Sequence, residues 1–406
     1  MKFLIIAQDL RVSGTSEGIV SRSFLAKLRK TYPESVIDVL YLMTHDLDDN
    51  LVNIPVNSII KKRINTSLPL YVKWINRISR RIFNNLYSDN YIQNKFAKEI
   101  KKVEYSLYDH IMVRSAGLEH ETLLAMHNLP ILRHAIINFH DPYPYPWYKG
   151  IPSRVNKNQL KRLGKITEIA AQAKTCCSSA YYMAKDLQYL YASNKYFYTL
   201  PHQFSFEAFD LSDKSKVRKK SKKIQISYHG ALMFGRNIFT LVEAFKELLA
   251  EHDWIKQDVE FVLRVKGENV KKLKEITNMC KNIFVLEALN FSNSSNEQIY
   301  ESDINVILEN GPYYSNILGG KVPFLFTLDK KVFISSPERS ELRRYLGNYP
   351  FLCDMNSLED TKAKLFDVLN AENLSSSFTT ELFSDANFKK SMDAILFDSK
   401  NDSQSI

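Results

Sequence analysis

The chain opens the same structural phrase twice. Lys2-Phe3-Leu4-Ile5-Ile6-Ala7 is a short apolar run that leads through Ser13-Gly14-Thr15-Ser16-Glu17-Gly18 into a helical pattern from Ile19 to Tyr32. Near residue 224 the order recurs. Lys223-Ile224-Gln225-Ile226-Ser227-Tyr228 leads through His229 into Gly230 to Gly235, then Arg236-Asn237 and a helical pattern from Ile238 to Ala250. Strand, glycine turn, helix is how an α/β domain turns helix N–H groups toward a phosphate or a sugar. Two such openings in 406 residues, too many for one ordinary core, predict two α/β domains with a cleft between them.

The rest of the pattern agrees. Val36 to Leu42, Ile111-Met112-Val113, a run within Ile131 to Phe139, Lys174 to Ser178 and Tyr198 to Pro201 read as strands, and Leu160 to Ala173 as a helix. In the second half, strands at Ile224, Val259, Ile283, Ile304 and Lys331 alternate with helical stretches. Alternation of this kind predicts a parallel, doubly wound sheet in each half. The expected division is a first domain over 1–209, a basic linker over 210–223, a second domain over 224–375, and a terminal helix and tail over 376–406. Phe378, Phe383 and Phe388 would pack that tail back on the first domain.

A hydrophobic content of 45% and a charged content of 25% are those of a globular protein in water. No stretch is apolar for long enough to span a bilayer, and Phe3 to Ala7 is too short for a signal-peptide core, so a cytoplasmic protein is expected. Cys176, Cys177, Cys280 and Cys353 lack a zinc spacing and read as free thiols.

The net charge is +10, and its distribution is uneven. From Asn50 to Ser88 there is no acid, while Lys61, Lys62, Arg63, Lys73, Arg77, Arg80 and Arg81 fall in that window. Tyr71, Trp74, Ile75, Ile78, Ile82 and Leu86 recur there at helical spacing, interleaved with the basic residues. Two readings are open: an ordinary helix whose apolar face is core, or a helix lying on an anionic membrane through residues 61–86. A second cluster, Lys214 to Lys223, lies in the linker.

Gly230, Arg236-Asn237 before a helix, then Ile304 to Glu309, then Gly319-Gly320-Lys321, resemble the donor domain of a GT-B glycosyltransferase. The likeness is to the family 4 (group 1) enzymes of bacterial polysaccharide synthesis, and it covers nearly the whole chain in the order of its elements. It implies two Rossmann-like domains facing each other across a cleft. It also implies transfer of a sugar from a nucleotide-diphosphate sugar to a glycan or lipid-linked acceptor, with retention of configuration and without a metal or other cofactor. No Asp-x-Asp motif appears in a convincing loop.

The chemistry of such a reaction needs the donor diphosphate neutralised as its bond to the sugar breaks. Helix N–H groups beside Gly230 and the cations Arg236 and Lys321 suit that task. Glu309 ends an apolar strand, where an acid is costly unless it faces a cleft, and the resemblance sets it against the donor sugar. In the first half, His140 and Asp141 follow a strand, where an imidazole beside a carboxylate can donate to a sugar hydroxyl or shuttle a proton, or simply cap the strand end. Tyr143 opens the aromatic run Tyr143 to Tyr148, suited to stacking on sugar rings or to plugging the cleft rim. Gly14 and Thr15 belong to the first strand-to-helix turn, and Arg114-Ser115-Ala116-Gly117 is a weaker cleft loop.

The chain departs from the family in one respect. The family places a second glutamate eight positions after the first, to grip the ribose, and here Ile317 stands there; in the variant spacing Phe324 does. A GT-B-like partner subunit with impaired catalysis is therefore one alternative. A basic nucleic-acid-binding protein is another, although it lacks a reader motif. No Gly-x-Gly-x-x-Gly opens either half, which argues against a dehydrogenase.

Overall fold

Apolar runs buried on both faces become the strands, as parallel sheets require. A computed structural model describes residues 1–12, 16–46, 50–82, 87–145, 155–191, 194–372 and 381–397. The first domain runs β1 (Lys2–Ala7), α1 (Ser16–Thr31), β2 (Val36–Met43), β3 (Ser58–Arg63), α2 (Leu70–Ile82), α3 (Tyr87–Ile100) and β4 (His110–Arg114). It continues with α4 (Glu121–Ala125), β5 (Ala135–Phe139), α5 (Lys157–Gln172), β6 (Thr175–Ser178), α6 (Tyr181–Tyr191) and β7 (Phe197–Thr199). Its sheet has the order β3-β2-β1-β4-β5-β6-β7, with every pair parallel.

The second domain runs β8 (Ile224–Leu232), α7 (Ile238–Glu251), α8 (Asp253–Asp258), β9 (Val259–Gly267), α9 (Val270–Thr277), β10 (Ile283–Glu287), α10 (Phe291–Tyr300) and β11 (Ile304–Leu308). After β12 (Tyr314–Ser315) come α11 (Val322–Thr327), β13 (Lys331–Ser336), β14 (Arg339–Ser340), α12 (Glu341–Leu346), β15 (Leu352–Asp354) and α13 (Leu358–Asn370). The order is β10-β9-β8-β11-β13-β15, again parallel, with β12 and β14 paired separately. Winding reverses between β1 and β4 in one sheet and between β8 and β11 in the other. Ligands bind doubly wound sheets in the crevice beyond the strand ends at such points.

A last helix, α14 (Asp385–Leu396), packs on the first domain rather than the second. Phe388 sits edge-on to Phe24 at 5.8 Å, Tyr32 Oη donates to Asp393 at 2.7 Å, and Lys27 and Lys30 pair with Asp385. Phe378 lies outside the described residues.

Several contacts hold the domains face to face. The Glu341 carboxylate accepts from the N–H groups of Tyr181 (2.9 Å) and Tyr182 (3.0 Å), capping the N-terminus of α6 from across the cleft. Asp186 on α6 accepts from Tyr314 Oη (2.8 Å) and Asn316 Nδ2 (2.7 Å). Gly320 lies against Ser16 and Val20 of α1, so close that a Cβ would stand 3.0 Å from Ser16 Cβ.

The basic segments behave differently from one another. In 210–223 the charges are taken up by the second domain. Arg218 forks onto the buried Glu260 (2.7 and 3.0 Å), Lys219 reaches Glu301 (2.7 Å), Lys220 reaches Asp303 (2.9 Å) and Lys223 reaches Asp258 (2.7 Å). Helix α2, by contrast, buries Val72 alone. Leu70, Tyr71, Trp74, Ile75, Ile78 and Ile82 all face solvent, Trp74 at 62% and Ile82 at 66% exposure, so the reading of an ordinary core-facing helix does not hold. Leu86 lies outside the described residues. All four cysteines are free, three of them buried.

Candidate functional site

The second-domain side of the site is built at the end of β8. The strand carries His229 and Gly230 and ends at Leu232, and the chain turns through Phe234 (φ 58°) and Gly235 (φ 75°). A side chain at 235 would be strained by that φ and would meet the backbone of Gly311 at 2.6 Å. Asn237 then caps α7 by accepting from Thr240 N. This tight turn sets Arg236 just before the N-cap of α7. Its Nε donates to Asn310 Oδ1 (3.0 Å) and its Nη1 to the Ala231 carbonyl (3.1 Å).

Lys321 arrives from the other side of the switch point, at the N-terminus of α11. Its ammonium stands over the Tyr228 ring at 5.6 Å and 3.2 Å from where a Gly230 Cβ would lie. A side chain at 230 would also strike Tyr228 Oη at 2.7 Å, so glycine is what lets the cation approach the strand end. Gly230, Arg236 and Lys321 are thus brought together. Among the described residues Lys321 has no carboxylate partner. Its side chain is open to solvent but set deep between protein atoms. That depth, with the charges of Arg236 and Lys266, pushes its pKa down to about 7. Positive groups held together without an anion favour binding one, which would restore the lysine charge.

Glu309 follows β11 and is buried. Its carboxyl lies near the hydroxyls of Ser336 and Ser340 and the Leu342 N–H, which favour its ionised form, but none meets either oxygen with hydrogen-bond geometry. Burial outweighs them and raises its pKa to about 7. It belongs to the β13–α12 side of the strand end, apart from the cations.

On the first-domain side of the cleft, neighbouring residues part company. Asp141 is partly open to the cleft, and its pKa is pushed up to about 7 by burial and by the charge of Glu17. His140 is enclosed, with both ring nitrogens unpartnered, and burial, Arg114, His202 and His120 hold it neutral. Tyr143, expected in the cleft, is instead core. Its N–H donates to Tyr191 Oη, and its ring meets His120 edge-on at 5.6 Å. Tyr145, two residues on, reaches the cleft. Asn310 Nδ2 donates to its hydroxyl (3.2 Å), and its ring lies 4.8 Å from Phe234. Gly14 and Thr15 fall outside the described residues, as do Trp147 and Tyr148, although Ser16, which follows the first turn, touches Gly320. Lys266, Asn310 and Glu17 had not been singled out. Lys266 just after Val265 and Asn310 just after Glu309 were findable as polar residues directly past an apolar strand.

No family model matches the sequence, and no curated protein matches it. Solved structures do. Sucrose-phosphate synthase from Thermosynechococcus elongatus superposes with a TM-score of 0.60 at 11% identity, covering 98% of this chain and 95% of that one. The UDP-GlcNAc 2-epimerase of Neisseria meningitidis, bound to UDP-GlcNAc, gives 0.58 at 12%, covering 98% and 100%. Trehalose-6-phosphate synthase from Burkholderia multivorans gives 0.56 at 10%, covering 99% and 94%. The chain has the GT-B fold. Both GT-B switch points, β1/β4 and β8/β11, border its cleft.

The raised Glu309 pKa carries a testable consequence. Between its ordinary value of 4.5 and about 7 the folded protein keeps a proton that the unfolded chain has released, so stability falls as pH rises through that window. In urea unfolding, Glu309→Gln should gain on the wild type between pH 4.5 and pH 7 by on the order of 2 kcal/mol. A difference independent of pH would contradict a buried, proton-holding carboxyl.

Proposed function

We propose that this protein is a glycosyltransferase that moves a sugar from a nucleotide-diphosphate sugar to a glycan or lipid-linked acceptor. The observation that carries the reading is the convergence of Arg236 and Lys321 on Gly230, at a switch point, with no carboxylate to neutralise Lys321 among the described residues. Two structural relatives hold a uridine nucleotide: the Staphylococcus aureus MnaA complex with UDP, and the epimerase with UDP-GlcNAc.

The bond from the sugar's anomeric carbon to the donor phosphate breaks as the acceptor oxygen bonds to the same face. The acceptor proton passes to the leaving phosphate oxygen, and configuration is retained. Lys321 and Arg236 take up the charge that develops on the diphosphate, which supplies without a metal what the reaction needs there. Glu309 is assigned to the donor sugar's hydroxyls. Asp141 and Tyr145 hold the acceptor side, and His140, enclosed behind them, is not in contact with the reacting atoms.

A nucleotide-sugar epimerase is the second reading, favoured by the epimerases among the structural relatives. Incubating nucleotide sugars without an acceptor separates the two, since only an epimerase would return an epimerised donor. Nucleic-acid binding is disfavoured because much of the charge in 214–223 is engaged in ion pairs.

The acceptor reading extends to a membrane. Helix α2 exposes an aromatic and aliphatic stripe beside Lys73, Arg77, Arg80 and Arg81, and the edge strand β3 exposes Lys61, Lys62 and Arg63. Apolar side chains that enter the acyl boundary beside basic ones that meet anionic headgroups describe an interfacial helix. None of the described helices is long and apolar enough to cross a membrane. The protein would lie on the inner face of the plasma membrane and extend a lipid-linked oligosaccharide for cell-surface polysaccharide.

Two measurements test these readings. Arg236→Ala and Lys321→Ala should each lower kcat/KM with a nucleotide sugar by on the order of 10²-fold or more, and lower the thermal stabilisation given by the nucleoside diphosphate. Full turnover in both would remove the phosphate site. Replacing Trp74, Arg77, Arg80 and Arg81 together should release the protein from anionic vesicles in sedimentation, each basic residue being worth about 1 kcal/mol there. Unchanged partitioning would remove the membrane contact.

A further inference from the structure

Behind the cleft wall of the first domain lies a cluster of buried polar groups that donor binding does not use. Four adjacent parallel strands deliver it. Arg114 ends β4, His140 follows β5, Ser178 and Ser179 close β6, and His202 follows β7 through Leu200-Pro201. Arg114 is 4% exposed. Among the described residues its side chain makes one hydrogen bond, Nε to Ser21 Oγ at 3.3 Å, and lies 4.2 Å from the Phe24 ring centre. Among the described residues no carboxylate pairs with it. The Cys177 thiol, whose charge would bear on it, is held protonated by burial, which pushes its pKa up to about 12.

The surroundings add donors rather than charge balance. His140 and His202 meet edge to face at 5.5 Å, and both are kept neutral by burial and by the Arg114 charge. Both nitrogens of His140 and both of His120 lack hydrogen-bond partners. Asp141, next along the chain, is under the influence of Glu17. A guanidinium taken out of water without a counter-charge is costly, and so is each unpartnered imidazole. One oxyanion would answer Arg114, His140 and His202 together, forking onto the guanidinium and accepting from the two imidazoles.

We propose that Arg114, His140 and His202 form an oxyanion subsite that takes a phosphate or carboxylate group carried by the acceptor. The proposal rests on the glycosyl-transfer reading and makes the acceptor a negatively charged one. It also gives His140 a binding role in place of a catalytic one. The subsite and the Arg236–Lys321 pair lie in different domains, at the strand ends of different sheets, so an acceptor anion and the donor diphosphate have separate cations.

Thermal unfolding of the full chain with inorganic phosphate, glucuronate or glucose, each at low millimolar concentration, tests this directly. Either anion should raise the melting temperature where neutral glucose does not; a rise with phosphate alone identifies a phosphate group, and one with glucuronate a carboxylate. Arg114→Met removes an uncompensated buried charge, so without ligand it should be as stable as the wild type or more so. It should nevertheless lose the part of the anion-dependent rise that Lys321→Ala keeps, while keeping the rise given by a nucleoside diphosphate. An anion response that survives in Arg114→Met but vanishes in Lys321→Ala would place the anion in the donor half and overturn the subsite. Equal responses to glucose and to the anions would overturn it too. Should Arg114→Met fail to fold, histidine-ring NMR of the wild type decides. Bound oxyanion raises the His140 pKa, and an imidazole indifferent to phosphate and glucuronate contradicts the proposal. Loss of nucleotide binding, by contrast, would strike the donor reading alone.

Discussion

A parallel sheet delivers all its strand ends to one edge, and the chemistry of this protein depends on two such edges being held opposite each other. Glu341 does much of the holding. Its buried carboxylate caps the N-terminus of α6, placing a negative charge where the helix N–H groups point out, while Arg344 donates to the same carboxylate at 3.0 Å. Asp186, one turn further along α6, gathers Tyr314 and Asn316. That acid is thus committed to structure, and it helps to fix the separation of the two edges.

Within that frame the two edges differ in charge. The second-domain edge is cationic and short of anions, with Lys321, Arg236 and Lys266 grouped at the end of β8. The first-domain edge is divided. Asp141 and Glu17 face the cleft as acids, while Arg114 and the histidines lie behind them. On the proposed function, a diphosphate would be drawn to one side and repelled by the carboxylates of the other, which would orient a nucleotide sugar with its phosphates toward the second domain. The arrangement is expensive for the unliganded protein, because like charges lower the Lys321 pKa and burial raises those of Asp141 and Glu309. Sites that bind charged substrates commonly carry such strain.

The architecture was legible because apolar periodicity survives in each strand and helix, and because Gly230, Arg236 and Lys321 follow strand ends directly. What sequence could not show was direction. His140 and Asp141 are adjacent, and period-two alternation sends one inward and the other to the cleft without saying which. Tyr143 is core and Tyr145 is not, although strand alternation would send residues two apart to the same side; both lie past the end of β5, where the chain no longer alternates. The basic runs looked alike as sequence, yet the acids that distinguish them, Glu260, Glu301, Asp303 and Asp258 for one and none among the described residues for the cations of α2, lie far off in the chain. The short edge strand β3 was missed because its residues are mostly exposed and charged, which hides the apolar signal.

A crystal structure of the protein with a bound nucleoside diphosphate bears most directly on the donor site. The diphosphate oxygens are expected within about 3 Å of Lys321 Nζ and the Arg236 guanidinium, against the Gly230 backbone. A diphosphate bound elsewhere, with Lys321 and Arg236 still facing water, would contradict the assignment of the second-domain edge to the donor.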